Sequence, residues 1–301
     1  MLRSYRYVFV ILAALAPLIA LAIATDAFLV YQKRETMRQE VIGRVRPLMT
    51  AVDTALAASE AALRTLAASK ALKSGDLRGF HEESRRFLAT QPHLGNVSLA
   101  SVEGENLAEA VWAFGTRARV YTDLPSFYTA AKEGVTTYGN IAIGPALGAA
   151  AVRMRIPVIH DGAVRYVVSA PHRLDWFEMI LRAQAPPAGW IVALLDGNRH
   201  FIARLPPVTP SSASLQAALE VGADGAFSAR TIDGSAVYTT SVTSARSGWA
   251  LAVAIPQREI DDPAWRVFWG LVAGTVIALA IALPLLLHIS RRFENRYRRV
   301  S

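Results

Sequence analysis

The feature that most constrains this chain is an uninterrupted apolar stretch near its C-terminal end. Between Arg266 and Arg291 lie 24 residues without an Asp, Glu, Lys or Arg. As an α-helix at about 1.5 Å per residue the stretch reaches about 36 Å, more than a hydrocarbon core of about 30 Å. Arg291, Arg292, Arg296, Arg298 and Arg299 follow it. Such a cluster marks the cytoplasmic side, and Trp265 and Trp269 stand where interfacial anchors belong. Residues 266–290 are therefore expected to cross a membrane from outside to inside, ahead of a basic cytoplasmic tail at 291–301. Pro284 should kink the inner turns without preventing insertion.

A second uncharged run, from Tyr7 to Thr25, is preceded by Arg3 and Arg6. The same rule places residues 1–6 in the cytoplasm and a first span at 7–31. Ala22-Ile23-Ala24 has the small-x-small form of a signal-peptide cleavage site. Against cleavage, apolar character resumes at Phe28-Leu29-Val30-Tyr31, as in an uncleaved anchor. Two spans leave residues 32–265 outside the cytoplasm, enough for one large or two small domains with cores of their own.

The net charge of +8 invites a nucleic-acid reading, but its placement argues against one. The first six residues hold two arginines and the last eleven hold five against one glutamate, so six of the net eight charges flank the spans. The basicity is topology signal with some attraction to anionic lipid, and no basic face for a phosphate backbone is left. The chain contains no cysteine. Disulfides and thiolate metal sites are thereby excluded, and an exported domain must be stable by burial alone.

After the first span Val41, Val45, Leu48, Val52, Leu56, Leu63 and Leu66 recur at helical steps. One long amphipathic helix is predicted over about 32–72, bent or broken at Pro47. Its apolar stripe either packs on the body of the domain or forms a dimer seam. Lys73-Ser74-Gly75-Asp76 ends it and caps a further helix from Leu77 to Ala89. From Asn96 the period changes to two. Residues 97–101 and 108–114 read as a hairpin, and 151–159 and 163–170 as another, joined at Asp161-Gly162. The intervening 117–147 stretch reads as irregular. Pro186-Pro187-Ala188-Gly189 punctuates the chain. Beyond it come strands at 190–195 and 200–204, a helix at about 212–220, and strands near 226–232, 236–242 and 249–255. The fold class is thus α+β, with two tandem units of similar layout, about 77–185 and about 188–256.

This layout resembles the double Cache sensor, two PAS-like sheets behind a long helix, which forms the extracytoplasmic input module of bacterial histidine kinases, diguanylate cyclases and chemoreceptors. Three segments carry the resemblance. Thr122-Asp123-Leu124-Pro125-Ser126-Phe127-Tyr128-Thr129-Ala130-Ala131 is similar to the family's D-x-x-R-x-Y-F-x-x-A segment. Leu174-Asp175-Trp176-Phe177 is similar to its L-D-W-L, and Gly248-Trp249 to Ile255-Pro256 to its G-W-x-V-x-V-G-V-P before the second span. Two departures matter. Pro125 stands where many members have Arg, and Pro171 where the amino-acid-binding branch has Asp. Neither half of that branch's clamp is visible, so an α-amino acid held in that manner is not expected.

No catalytic constellation is legible: the six histidines show no metal-ligand spacing, and no phosphate loop or nucleophile motif is present. Neither an enzyme nor a cofactor is expected in the outer domain. Arg153 and Arg155 alternate with Val152, Met154, Ile156 and Val158 along one strand. Both guanidiniums fall on one face, where they would suit a carboxylate or phosphate, or else face solvent. If the apolar side packs on the long helix, as the resemblance implies, the arginines look toward the ligand. Tyr121, Phe127, Tyr128 and Tyr138, with Trp112 and His172, complete the candidate pocket. The expected function is a two-pass sensor of the bacterial inner membrane, working as a homodimer, whose outer domain binds a small ligand such as a carboxylate. A longer chain or partner would supply the output domain. The alternative is a membrane-anchored protein-interaction module without a small-molecule ligand.

Overall fold

The computed structural model describes residues 45–116, 124–144, 146–206 and 236–259, the backbone of 227–230, and scattered positions in the two terminal segments. Residues 42–256 form one compact unit, and the terminal segments, 1–41 and 257–301, form another. The spans expected at 7–31 and 266–290 fall largely outside the described residues. Among the described residues no helix is long and apolar enough to cross a membrane.

The compact unit begins with a helix, α1, at residues 45–67. Its stripe of Val45, Leu48, Val52, Leu56 and Leu63 is buried as the periodicity predicts, each 5 % exposed or less. The helix stops short of residue 72. Ser69 is extended and accepts a hydrogen bond from the Leu72 amide, so it caps a new short helix, α2, Lys70–Ser74. Gly75, at φ 75°, ends α2 in the left-handed conformation, and Asp76 caps α3, Leu77–Ala89, by accepting from the Gly79 amide at 2.9 Å.

The first sheet contains β1 (Ser98–Ser101), β2 (Asn106–Glu109), β3 (Thr137–Tyr138), β4 (Ala142–Ile143), β5 (Ala150–His160) and β6 (Ala163–Arg173), in the order β2-β1-β6-β5-β3, with β4 also on β5. The β5–β6 turn has Asp161 at φ 52° and Gly162 at φ 79°, the two left-handed residues that a two-residue hairpin loop requires. Residues 117–147 hold more regular structure than their sequence signals: α4, Leu124–Glu133, as well as β3 and β4. A two-residue strand carries no readable period, and the α4 sequence opens on a Pro-containing turn, which masks it.

Next come α5 (Leu174–Ala183), β7 (Ile191–Leu195), β8 (Phe201–Leu205), β9 (Phe227–Arg230), β10 (Ala236–Thr243) and β11 (Ala250–Pro256). The second sheet runs β8-β7-β11-β10-β9. Both sheets therefore follow one plan: second strand, first, last, next to last, third. All pairings in both are antiparallel. The helix expected at 212–220 lies outside the described residues.

Candidate functional site

The register of the first sheet lines up polar residues straight across it. Glu109 pairs with Ser98, Ser98 with Ser169, Ser169 with Arg155, and Arg155 with Thr137. Partners in an antiparallel register share a face, so these five side chains form one polar row. Arg155 is fully buried and Arg153 is 8 % exposed, so the strand does not present a solvated arginine face. The Arg155 Nε donates to Ser126 Oγ at 2.7 Å and its Nη1 to Ser169 Oγ at 3.0 Å. Its guanidinium carbon lies 5.5 Å from the centre of the Phe127 ring. α4 supplies both Ser126 and Phe127, and buries Phe127, Ala130 and Ala131 against Ala100 and Val167 of the same face.

Beside this row Glu109 accepts from Asn96 Nδ2 at 2.6 Å and from Asn106 Nδ2 at 2.7 Å. Burial pushes the Glu109 carboxyl above the usual carboxylate range, against the pull of the two amides and of the Arg153 charge. Gly144 lies so close to Arg153 that a Cβ there would collide with the guanidinium Nη2. The face thus presents two guanidiniums and several hydroxyls held by packing, an arrangement suited to carboxylate and other acceptor groups.

Of the other expected site residues, Phe127 joins the arginines, and Tyr128 stands beside it, half exposed, under Lys132. Trp112 follows β2, and its carbonyl accepts from His81 Nε2 at 2.8 Å. Tyr121 lies outside the described residues. His172 and Tyr138 are on the opposite side of the sheet, because His172 pairs with Val152 and Tyr138 with Met154, one residue out of phase with the arginines. That side meets α1: Ser59 Oγ lies 2.7 Å from His172 Nε2, and the Tyr138 hydroxyl donates to Glu60 at 2.7 Å. His172 is 1 % exposed, and its ring packs beside Trp176, Phe177 and His93. Burial, with the neighbouring His93 ring, pushes its pKa down to about 3, against a weak opposing hydrogen bond to the Ala170 carbonyl.

Ser126, Ser169, Ser98, Glu109 and Glu60 were not singled out from the sequence. Strand parity could have found Ser169, a hydroxyl two residues from Val167 on the face that pairs with Arg155. Glu60 shows no such signal, because its partners are remote in sequence. It accepts from Arg64, Thr136, Tyr138 and Arg246 at 2.7–2.9 Å and so ties α1 to β3 and to the β10–β11 turn. Burial alone would raise the Glu60 carboxyl, but hydrogen bonds from Tyr138, Arg64 and Thr136 prevail and hold it below the usual range. Tyr138 is pushed up to about 12, chiefly by burial. Ser244 donates to Asp53 of α1 at 2.6 Å, and the two sheets meet directly where Asp196 accepts from the Ile141 amide at 2.8 Å and Arg246 Nη1 donates to the Tyr138 hydroxyl at 3.3 Å. Among the described residues no group of three metal-ligating side chains occurs.

No protein-family profile matches the chain, and no curated protein matches it. Solved structures do. The ligand-binding domain of the Campylobacter jejuni chemoreceptor Tlp3 in complex with L-norvaline aligns at a TM-score of 0.59 and 11 % identity, over 76 % of this chain and 94 % of that one. The sensory domain of the same chemoreceptor with isoleucine bound aligns at 0.56 and 12 %, over 78 % and 98 %. The sensor domain of the V. cholerae histidine kinase DctB aligns at 0.55 and 13 %, over 74 % and 98 %. The chain has the fold of the ligand-binding and sensory domains of chemoreceptors and histidine kinases. This is the fold that the double Cache resemblance implies.

Proposed function

We propose that the chain is the sensory region of a membrane-bound signalling protein, binding a small carboxylate-bearing ligand on the polar face of its first sheet. The observation that carries this reading is the row Glu109–Ser98–Ser169–Arg155–Thr137, buried in its first four members and half-buried at Thr137. It lies in a fold whose solved examples include chemoreceptor domains holding L-norvaline and isoleucine. Burying a guanidinium and several hydroxyls costs stability that an apolar core would not, and a ligand able to use them gives that cost a purpose. The missing Asp and Arg of the amino-acid clamp, at Pro171 and Pro125, favour an organic acid over an α-amino acid.

In this reading residues 32–265 lie outside the cytoplasmic membrane between spans at 7–31 and 266–290, and the protein works as a homodimer. Ligand on the first sheet favours one of two arrangements of the domain, and the Glu60 joint passes that preference to the β10–β11 hairpin. In sequence, that hairpin leads on to the second apolar run. A thermal-shift screen of the purified full chain against organic acids, amino acids and amines tests the binding claim. An organic acid should raise the melting temperature, and Arg153→Gln should abolish the rise without lowering the unliganded melting temperature by more than a few degrees. A screen in which only amines stabilise, or in which the variant responds like the parent, would remove the carboxylate site. Reporter fusions at residues 6 and 301 should read as cytoplasmic and one at 200 as external; a 301 fusion reading as external defeats the topology.

A further inference from the structure

The opposite face of the first sheet carries a cleft that this reading does not use. It lies between the C-terminal end of α1 with α2 and the tip of the β5–β6 hairpin, with a volume of about 450 Å³. Its floor is apolar, formed in part by Leu72, Ile156 and Val158, all under 10 % exposed. Ile156 and Val158 are out of phase with Arg155 along β5, so the cleft lies on the α1 side of the sheet, separated by the sheet itself from the polar row.

Arg64, Lys73, His160 and Arg165 line the cleft from four separate elements, together with Tyr166, and no Asp or Glu is among its lining residues. Arg64 is bonded to Glu60 and Thr136, and His160 Nδ1 is 3.1 Å from Asp161. Lys73 and Arg165 make no ion pair or side-chain hydrogen bond among the described residues. Both are exposed, so they remain available to an anionic group at the mouth of the cleft while the apolar part of the same molecule covers the floor.

We propose that this cleft is a second ligand site, for an organic anion with a compact apolar body. Lys73 and Arg165 would take the anionic group, and Leu72, Ile156 and Val158 the apolar part. Size and sign select the class: roughly 300–1,000 Å³ is the range of small-molecule pockets, and a purely inorganic anion would leave the floor wet. Because Arg64 reaches into both the cleft and the Glu60 joint, an occupant here would bear on the same contact between the sheets that the first site uses.

The test is calorimetric titration of the full chain at low salt with phenylacetate, its neutral counterpart phenylacetamide, and inorganic phosphate. Phenylacetate should bind, phenylacetamide and phosphate at least tenfold more weakly. The exposed pair Lys73→Glu and Arg165→Glu, combined, should weaken phenylacetate by at least tenfold. Arg182→Glu, a charge reversal on α5, should leave it within twofold. Absence of phenylacetate binding overturns the site. So does binding that the Lys73/Arg165 double variant retains, or that falls equally in the Arg182 variant. Phosphate binding as tightly as phenylacetate overturns the assignment of ligand class.

Discussion

The two sheets of the compact unit share one strand order but enclose different interiors. Across the first, the row runs Glu109, Ser98, Ser169, Arg155, Thr137. Across the second, on the side away from α1, the corresponding row runs Arg204, Ala193, Ala252, Ser241. Ala193 and Ala252 are each 1 % exposed and pack with Leu195, Ala250 and Phe201. The backbone plan is common to both, so the difference lies in which side chains the strands place on the free face. The difference is sharpest at the centre of the row, where the first sheet places Ser98 and Ser169 and the second places Ala193 and Ala252, while the second keeps Arg204 and Ser241 at the ends. The proposed function places the ligand on the first of these faces and gives the second sheet the part of passing the signal on.

The largest expected effect tests what the two sheets share. α1 bonds to both, through Glu60 and Ser59 to the first and through Asp53 and Glu60 to the second. Leu63 is fully buried, so Leu63→Ala should cost about 2–5 kcal/mol and, in hydrogen exchange, loosen both sheets together. Loosening of one sheet alone would mean that they are independent modules.

Next in size is the contrast itself. Arg155→Gln should weaken the stabilising acid by about 1.5–3 kcal/mol, the range for charge-assisted hydrogen bonds. Ser241→Ala, at the matching place in the second sheet, should leave affinity within twofold. Equal losses by calorimetry would erase the distinction between the two faces.

A third effect concerns acid. His172 has a folded pKa of about 3 against an ordinary 6.5. Below pH 6.5 the unfolded chain takes up a proton that the folded one refuses, so folding stability falls as pH falls, by about 1.4 kcal/mol per unit down to the folded pKa. Between pH 6.5 and 5 that is about 2 kcal/mol from this group. His172→Gln should flatten the slope in urea melts taken across that interval, and a slope unchanged in the variant would assign the acid sensitivity elsewhere. Glu60, held below the usual range, contributes in the same direction at lower pH, since its stabilisation is lost as pH falls through its folded pKa.

The smallest effect on stability is expected at Arg246, which is the exposed partner of its pairing with Glu60, at 40 % side-chain exposure against 12 %. Arg246→Ala should cost under about 1 kcal/mol, yet reduce the exchange protection that ligand on the first sheet confers on the β10–β11 hairpin. Unchanged protection there would show that the signal crosses by another contact.

Much of this plan is legible in the sequence, because it rests on short-range rules. The stripe of Leu48, Val52, Leu56 and Leu63, the caps at Gly75 and Asp76, and the Asp161-Gly162 turn are each decided by residues within a few positions. The arginine pair is legible for the same reason, since strand parity alone places Arg153 and Arg155 together. Parity also misleads when the starting phase is unknown. His172 and Tyr138 are one residue out of step with the arginines and so point to α1, and no local signal sets that phase. The hydroxyl of Ser126 is legible only once α4 is known to cross the strand that carries Arg155. The Glu60 joint gathers donors from positions 64, 136, 138 and 246, and only tertiary structure brings these together.

The claim that the first sheet's polar face receives the ligand is tested most directly by hydrogen exchange on the full chain, with and without the acid that raises its melting temperature. Slowed exchange should be strongest in α4, β5 and β6, around Ser126, Arg155 and Ser169, with a weaker response in the β10–β11 hairpin. Protection confined to β7, β8 and β11, with α4 and β5 unchanged, would place the ligand on the second sheet and contradict the account.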